Sequence, residues 1–441
     1  MGDDEQDPRV CEAAPLLSDT EENASRWPVY SWWAELTLIS RYSVPLVATY
    51  LLQYSFSVIT TFTAGHLGQD DLAAASVGVT TMNIAGLAIF EGMATALDTL
   101  CAHAYGAGNK AGVGLYVQRM LLLMAVVSIP VGALWICSPA ILSIFLKQEY
   151  LAVKAGSFLR VSLIGLPGWL FAFHFGLGLD GAALEAALAN SLRPILLFLC
   201  ILFKKSSHKC WPGPSRRAFK GWGPMLGLSA AGSAVTLAEW AAFEILTFST
   251  SYLSTTHLAA QTILTTTSVV MWHIPFSFSV GVSTRIGHLI GAGLVTAARQ
   301  VTILYAIIFV AIGLFDAAFL FSLRNYIGLI FSTDPSIHHL VSNTMFAVAA
   351  FQIVDATIGG CNGILRGLAK QSFAAWVVFF INHVSAVPLA IWLELGPWRM
   401  GLDGVWIGLG SGLAVIAIIE VSYMIGIDWR GSIEYAKSRE D

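Results

Sequence analysis

Eleven long apolar stretches punctuate this sequence, at approximately 36–59, 72–97, 117–137, 152–173, 182–203, 225–252, 260–284, 300–323, 340–363, 373–394 and 404–427. About 20 apolar residues in a helix suffice to cross the hydrocarbon core of a bilayer. Charged residues make up 12% of the chain, half of the roughly 25% usual in soluble domains. Mean hydropathy is +0.69. An ordinary cytosolic enzyme is excluded, and the expected fold is an all-α polytopic membrane protein embedded in the lipid bilayer. The net charge of −4, with its acid gathered at the N-terminus, argues against a nucleic-acid partner. Six scattered cysteines show no CxxC and no zinc spacing, so neither metal nor cofactor is expected.

The stretches organise the chain. Residues 1–33 are an acidic, polar tail without an apolar run, read as disordered and not as a cleavable signal peptide. Residues 34–203 hold five spans, 204–222 form a basic linker broken by Pro212 and Pro214, 223–427 hold six spans, and 428–441 are a C-terminal tail. Lys and Arg in short loops favour the cytoplasmic side. The linker carries Lys204, Lys205, Lys209, Arg216, Arg217 and Lys220, and from it the basic loops alternate regularly to the C-terminus. Counting instead from a cytoplasmic N-terminus, with Lys110 and Arg119 inside, eleven spans would leave that linker outside. One span is missing before it.

An internal repeat places the same gap. YGAG, ending at Gly108, pairs with IGAG, ending at Gly293, an offset of 185; GLDGAAL at 178–184 pairs with GLDGVWI at 401–407, an offset of 223. The first half is therefore shorter by 223 − 185 = 38 residues, one helix with its connections. The expected architecture is two pseudo-symmetric helical lobes with eleven spans where twelve would complete the pair. Repeated halves are a common transporter plan, with the site near the midplane between them.

Several motifs carry a family resemblance: GHLG (65–68), GMATALDTLCAHAYGAG (92–108), TLAEWAAFE (236–244), VSTRIGHLIGAG (282–293) and CNGILRG (361–367). Over about residues 34–430 the chain resembles the multidrug and toxic compound extrusion (MATE) exporters of eukaryotic type. That resemblance implies twelve helices in two lobes around a central cavity, with export of organic cations in exchange for protons or sodium and no cofactor. The chain departs from the pattern where LPGWLFAF (166–173) runs directly into His174, without the fifth helix and the end of the fourth.

Carboxylates inside apolar spans cost roughly 2.5–3.5 kcal/mol each on insertion scales, so they are functional candidates. Glu239 lies mid-span, Glu244 is five residues on and Asp355 is near the middle of its span. At about 100° per residue, Glu239 and Glu244 differ by about 140° around the helix and need not share a face. The resemblance implies that these three line the cavity of the C-terminal lobe. Glu91 is a further cavity candidate, whereas Asp98 is expected to order the cytoplasmic loop. Gln53, Tyr54 and Asn190 could hydrogen-bond a substrate, as could Asn382 and His383. Trp240, Trp272 and Phe276 could each offer a π face to a cation, though core or interfacial packing is the commoner use of such residues in a membrane protein. Asp316 and Glu420, toward span ends, are expected to snorkel. Gly106, Gly108, Gly291 and Gly293 are expected to cap helices.

Burial disfavours the charged form of a carboxylate. A neutral carboxyl attracts a cation weakly and an ionised one strongly, so proton and substrate compete for one group. The expected function is antiport of small organic cations or xenobiotics against protons by a monomer. The alternatives are a lipid or oligosaccharide-lipid flippase, for which Arg41 and Arg160 are the mid-span cations, and a non-functional truncated product. A membrane enzyme lacks support, because there is no HxxxH or HExxH cluster. Glu12 before Leu16-Leu17 resembles an acidic-dileucine signal and suggests a vacuolar or endosomal membrane, against the plasma membrane.

Overall fold

The structure is a computed structural model that describes residues 32–67, 78–145, 149–161, 210, 213–250, 252–332, 334–429, 431–432 and 434. Among the described residues there are eleven helices and no strand. We number them α1 Trp32–Leu67, α2 Gly78–Gly106, α3 Lys110–Ile136, α4 Ser138–Phe145 and α5 Glu149–Val161. The second half supplies α6 Gly223–Thr250, α7 Thr255–Gly291, α8 Val295–Phe331, α9 Pro335–Gly367, α10 Gln371–Leu395 and α11 Leu402–Gly426. Eight of these are long and apolar enough to cross a membrane. The protein is a multi-pass membrane protein.

Most predicted spans reappear as helices with longer ends. The span predicted at 300–323 is the core of α8, whose 37 residues reach about 55 Å at 1.5 Å per residue, well beyond a core of about 30 Å. The predicted span 182–203, the Phe173–His174 junction, Asn190 and the acidic-dileucine sequence lie outside the described residues.

Local chemistry sets the helix ends. Asn109 caps α3 by accepting from the Gly112 amide at 2.8 Å, Ser254 caps α7 through the His257 amide at 3.2 Å, and Asp334 caps α9 through the Ser336 amide at 2.8 Å. Gly108 and Gly293, the matching glycines of the repeat, take φ of 85° and 78° just past α2 and α7. Only glycine enters that region freely. The repeat seen in the sequence is thus a repeat of helix endings.

The two lobes interlock through their first helices. α1 packs along α7, and its counterpart α6 packs along α2, so the opening helix of each lobe lies against the second helix of the other. Small residues permit the close approach in lipid: a methyl on Gly92 would run into the backbone of Ser233, and one on Gly232 into the carbonyl of Gly92. Ser233 donates across this seam to the Ile89 carbonyl at 2.9 Å. Within the second lobe α9 is central, packed by α7, α8 and α11. The Arg216–Phe219 turn of the linker sits beside α3, where Gln118 accepts from the Ser215 amide at 2.9 Å and donates to the Gly213 carbonyl at 2.8 Å. The basic linker and the basic ends of α2 and α3 therefore share one side.

Candidate functional site

Between α2 and the second lobe lies a cavity. Its wall takes Glu91 and Thr95 from α2, Glu239 and Trp240 from α6, Trp272 and Phe276 from α7, Asn362 and Arg366 from α9, and Gln371 from α10. Free space is about 70 Å³. At about 10–15 Å³ per water that admits a few waters, whereas sites for drug-sized ligands hold roughly 300–1,000 Å³. In this conformation the lobes are drawn together over the site.

One end of the cavity is closed by cross-lobe bonds on the basic side. Thr99 donates to the Arg366 carbonyl at 2.7 Å, and His103 Nε2 stands 2.7 Å from the Gly367 carbonyl. Asp98 pairs with Arg366 at 3.7 Å. The matching GAG glycines make the seal: a methyl on Gly106 would strike the His288 carbonyl, and one on Gly291 the His103 carbonyl. Gly106 and Gly291 are thus points of closest approach between α2 and α7, a role beyond the caps expected from sequence. Nearby, the guanidinium of Arg285 on α7 binds the carboxylate of Glu35 on α1, and Tyr305 on α8 donates to Glu35 at 3.1 Å.

The sequence candidates separate in space. Glu239, Trp240 and Glu91 line the cavity, and Glu239 lies within the fields of both Glu91 and Arg366. Asp355 does not line it. It sits one turn before the cavity residue Gly359 on α9, within the field of Glu239. Glu244 is nearer the opposite end of α6, with Thr80 of α2 donating to it at 3.5 Å. Gln53 and Tyr54 are half-buried on α1 outside the cavity lining. Tyr54 packs on His273 at 5.5 Å between centroids. Asn382 is buried in the π-helical turn Ile381–Ala386, and His383 is half-buried.

Several expectations are corrected. Trp272 and Phe276 face the cavity, tilted against one another at 6.0 Å, instead of serving only the core. Asp98 reaches across the lobes to Arg366. Arg41 and Arg160 are exposed, with Arg160 donating to the Ile136 carbonyl at 3.0 Å. Asp316 and Glu420 do not snorkel: both are 0% exposed, and all four carboxyl oxygens lack a hydrogen-bond partner.

Sequence reading missed Arg366 as a cavity residue. Its guanidinium donates to Ser279 at 2.6 Å and lies 5.8 Å from the Phe276 ring centre, so the cation is held at the basic-side end of an otherwise acidic and aromatic chamber. The signal was present in CNGILRG, an arginine at the last turn of a span.

The MatE family model matches residues 45–189 and again residues 233–392. The chain belongs to this family. An uncharacterized transporter of Schizosaccharomyces pombe is 33% identical over 473 residues, covering 96% of this chain and 87% of that protein. Multidrug and toxin extrusion protein 1 of Xenopus tropicalis is 28% identical over 443 residues, covering 92% of this chain and 77% of that protein. The crystal structure of the eukaryotic MATE transporter AtDTX14 superposes with a TM-score of 0.86 at 25% identity, covering 92% of this chain and 99% of that one. The double match and this likeness agree with the two-lobe reading of the repeat.

Proposed function

We propose that this MATE-type transporter exchanges organic cations for protons, with Glu239 as the group for which the two compete. The observation that carries the reading is the cavity itself: a carboxylate on α6 with Trp240 beside it and Trp272 and Phe276 on α7 forming the same wall. Aromatic faces attract a desolvated cation by about 2 kcal/mol or more, and an ionised carboxylate adds the opposite charge. An ionised Glu239 holds the cation; a protonated Glu239 releases it. Asp355, one turn before the cavity residue Gly359 on α9, gives the lobe a second carboxyl close to the site. Arg366 is already engaged by Asp98 and Ser279, which disfavours a lipid-phosphate site there. Xenobiotic export from a vacuolar, endosomal or plasma membrane follows from the same reading.

The test is equilibrium binding of tetraphenylphosphonium to the purified protein. Affinity should rise with pH, because protons compete for the carboxylate. Glu239→Gln should weaken binding at least tenfold at pH 8 with the unfolding temperature unchanged. Undiminished binding by the Gln variant would reject Glu239 as the exchange site.

A further inference from the structure

α8 and α11 both pack on α9 but scarcely touch one another, which leaves a groove between them on the outer face of the second lobe. It holds about 440 Å³, within the roughly 300–1,000 Å³ of sites that take small ligands. Gly360 and Cys361 of α9 form its floor, between Ile303 and Val310 on α8 and Val421 and Ile425 on α11. The floor is buried and the four wall side chains are exposed, so the groove opens to the acyl chains of the bilayer. Gly359 and Asn362, on the same stretch of α9, line the central cavity, so this helix is the partition between the two spaces. The hydroxyls of Thr302 and Thr357, which also line the groove, donate to carbonyls of their own helices at 2.9 and 2.8 Å. Its length is therefore apolar. Its one end is not. Arg299 lines it in the second turn of α8, on the side that the linker's lysines and arginines assign to the cytoplasm. Trp429 lines the same end, just past α11. Arg299 is exposed, and no carboxylate among the described residues pairs with its guanidinium. From Arg299 to Val310 the helix rises about 16 Å at 1.5 Å per residue. That matches one leaflet, half of a hydrocarbon core of about 30 Å.

We infer that this groove binds one phospholipid with an anionic headgroup, its phosphate on Arg299 and an acyl chain laid along α9. A groove without charge would take any lipid. Here an unpaired cation stands at headgroup depth on the cytoplasmic side, where anionic lipids concentrate, and one such cation is worth about fivefold in affinity. Trp429 at the same level is the kind of side chain that settles at the membrane interface. The small residues of the floor let the chain lie deep against α9 and gain dispersion contacts from both walls. The site is independent of the exchange chemistry at Glu239 and stands whatever the transported substrate is.

The experiment offers the full chain in detergent equal amounts of dioleoylphosphatidylglycerol and dioleoylphosphatidylcholine, and counts retained lipids by native mass spectrometry. Wild type should keep one phosphatidylglycerol in preference to phosphatidylcholine. Arg299→Gln should lower that retention about fivefold and abolish the preference, while Arg299→Lys should keep it. Ala306→Trp, on the exposed wall of the groove, should fill the space and lower retention with Arg299 intact. Both positions are exposed, so unfolding temperatures without lipid should match wild type. Equal retention of the two lipids by wild type, or undiminished phosphatidylglycerol binding by Arg299→Gln, would overturn the inference. Inorganic phosphate raising the unfolding temperature as much as the lipid does would also overturn it, marking a site for free anions. A dimer mass that disappears in Ala306→Trp would do the same, marking a face for a second copy of the chain.

Discussion

Glu35 on α1 and Arg285 on α7 form an ion pair, both side chains less than 5% exposed, that ties the first helix of one lobe to the second helix of the other. With Tyr305 donating to the same carboxylate, the pair lies beside the α2–α7 crossing on the basic side. A transporter that alternates its access must break such a bond to open there. The pair is therefore read as a latch on one of two states.

Removing one partner of a buried pair leaves the other charge stranded, at a cost of about 3–5 kcal/mol. Glu35→Ala should lower the unfolding temperature of the detergent-solubilised protein by several degrees. Replacing both partners with apolar residues of similar size, Glu35→Leu with Arg285→Met, should recover most of the loss. An unchanged unfolding temperature in Glu35→Ala would show that the pair contributes little.

The crossing of Gly106 with His288 makes a second prediction. A methyl at Gly106 meets the His288 carbonyl, and backbone cannot yield as a flexible side chain does. Gly106→Val should destabilise the closed basic side by about 1–3 kcal/mol. A cysteine introduced at Thr99, which donates across the same seam, should then react faster with a maleimide reagent than it does with Gly106 intact. Equal rates would contradict the seal.

The aromatic wall gives a third. Trp240→Ala and Trp272→Ala should each weaken tetraphenylphosphonium binding by roughly 0.5–2 kcal/mol, about 2- to 30-fold. Titration calorimetry measures this. Trp398, exposed and remote from the cavity, serves as the control whose replacement should change nothing.

The membrane architecture was legible because hydropathy and loop charge report directly on the bilayer, and the repeat was legible because helix endings need glycine at fixed places. Depth and facing were harder. Asp316 stood near the end of a predicted span, yet α8 continues to Phe331 and takes it well inside. Glu420 does lie near the end of α11, but a position along a helix does not reveal which face packs on α9. Trp272 and Phe276 were hidden by abundance, since fourteen tryptophans make any one uninformative. Glu239, Trp240 and Glu91 were placed on the cavity, while Gln53 and Tyr54 fall on the flank of α1. The 38-residue difference between the halves was read twice over in the sequence, from charge alternation and from the repeat offset, because both count spans without needing contacts; the stretch concerned lies outside the described residues.

Tetraphenylphosphonium uptake into proteoliposomes under an imposed proton gradient tests the central claim most directly. With the interior acidic, wild type should accumulate the cation, a proton ionophore should collapse the accumulation, and Glu239→Gln should reduce uptake to the level of protein-free vesicles. Uptake that ignores the gradient, or a Glu239→Gln variant as active as wild type, would contradict the account.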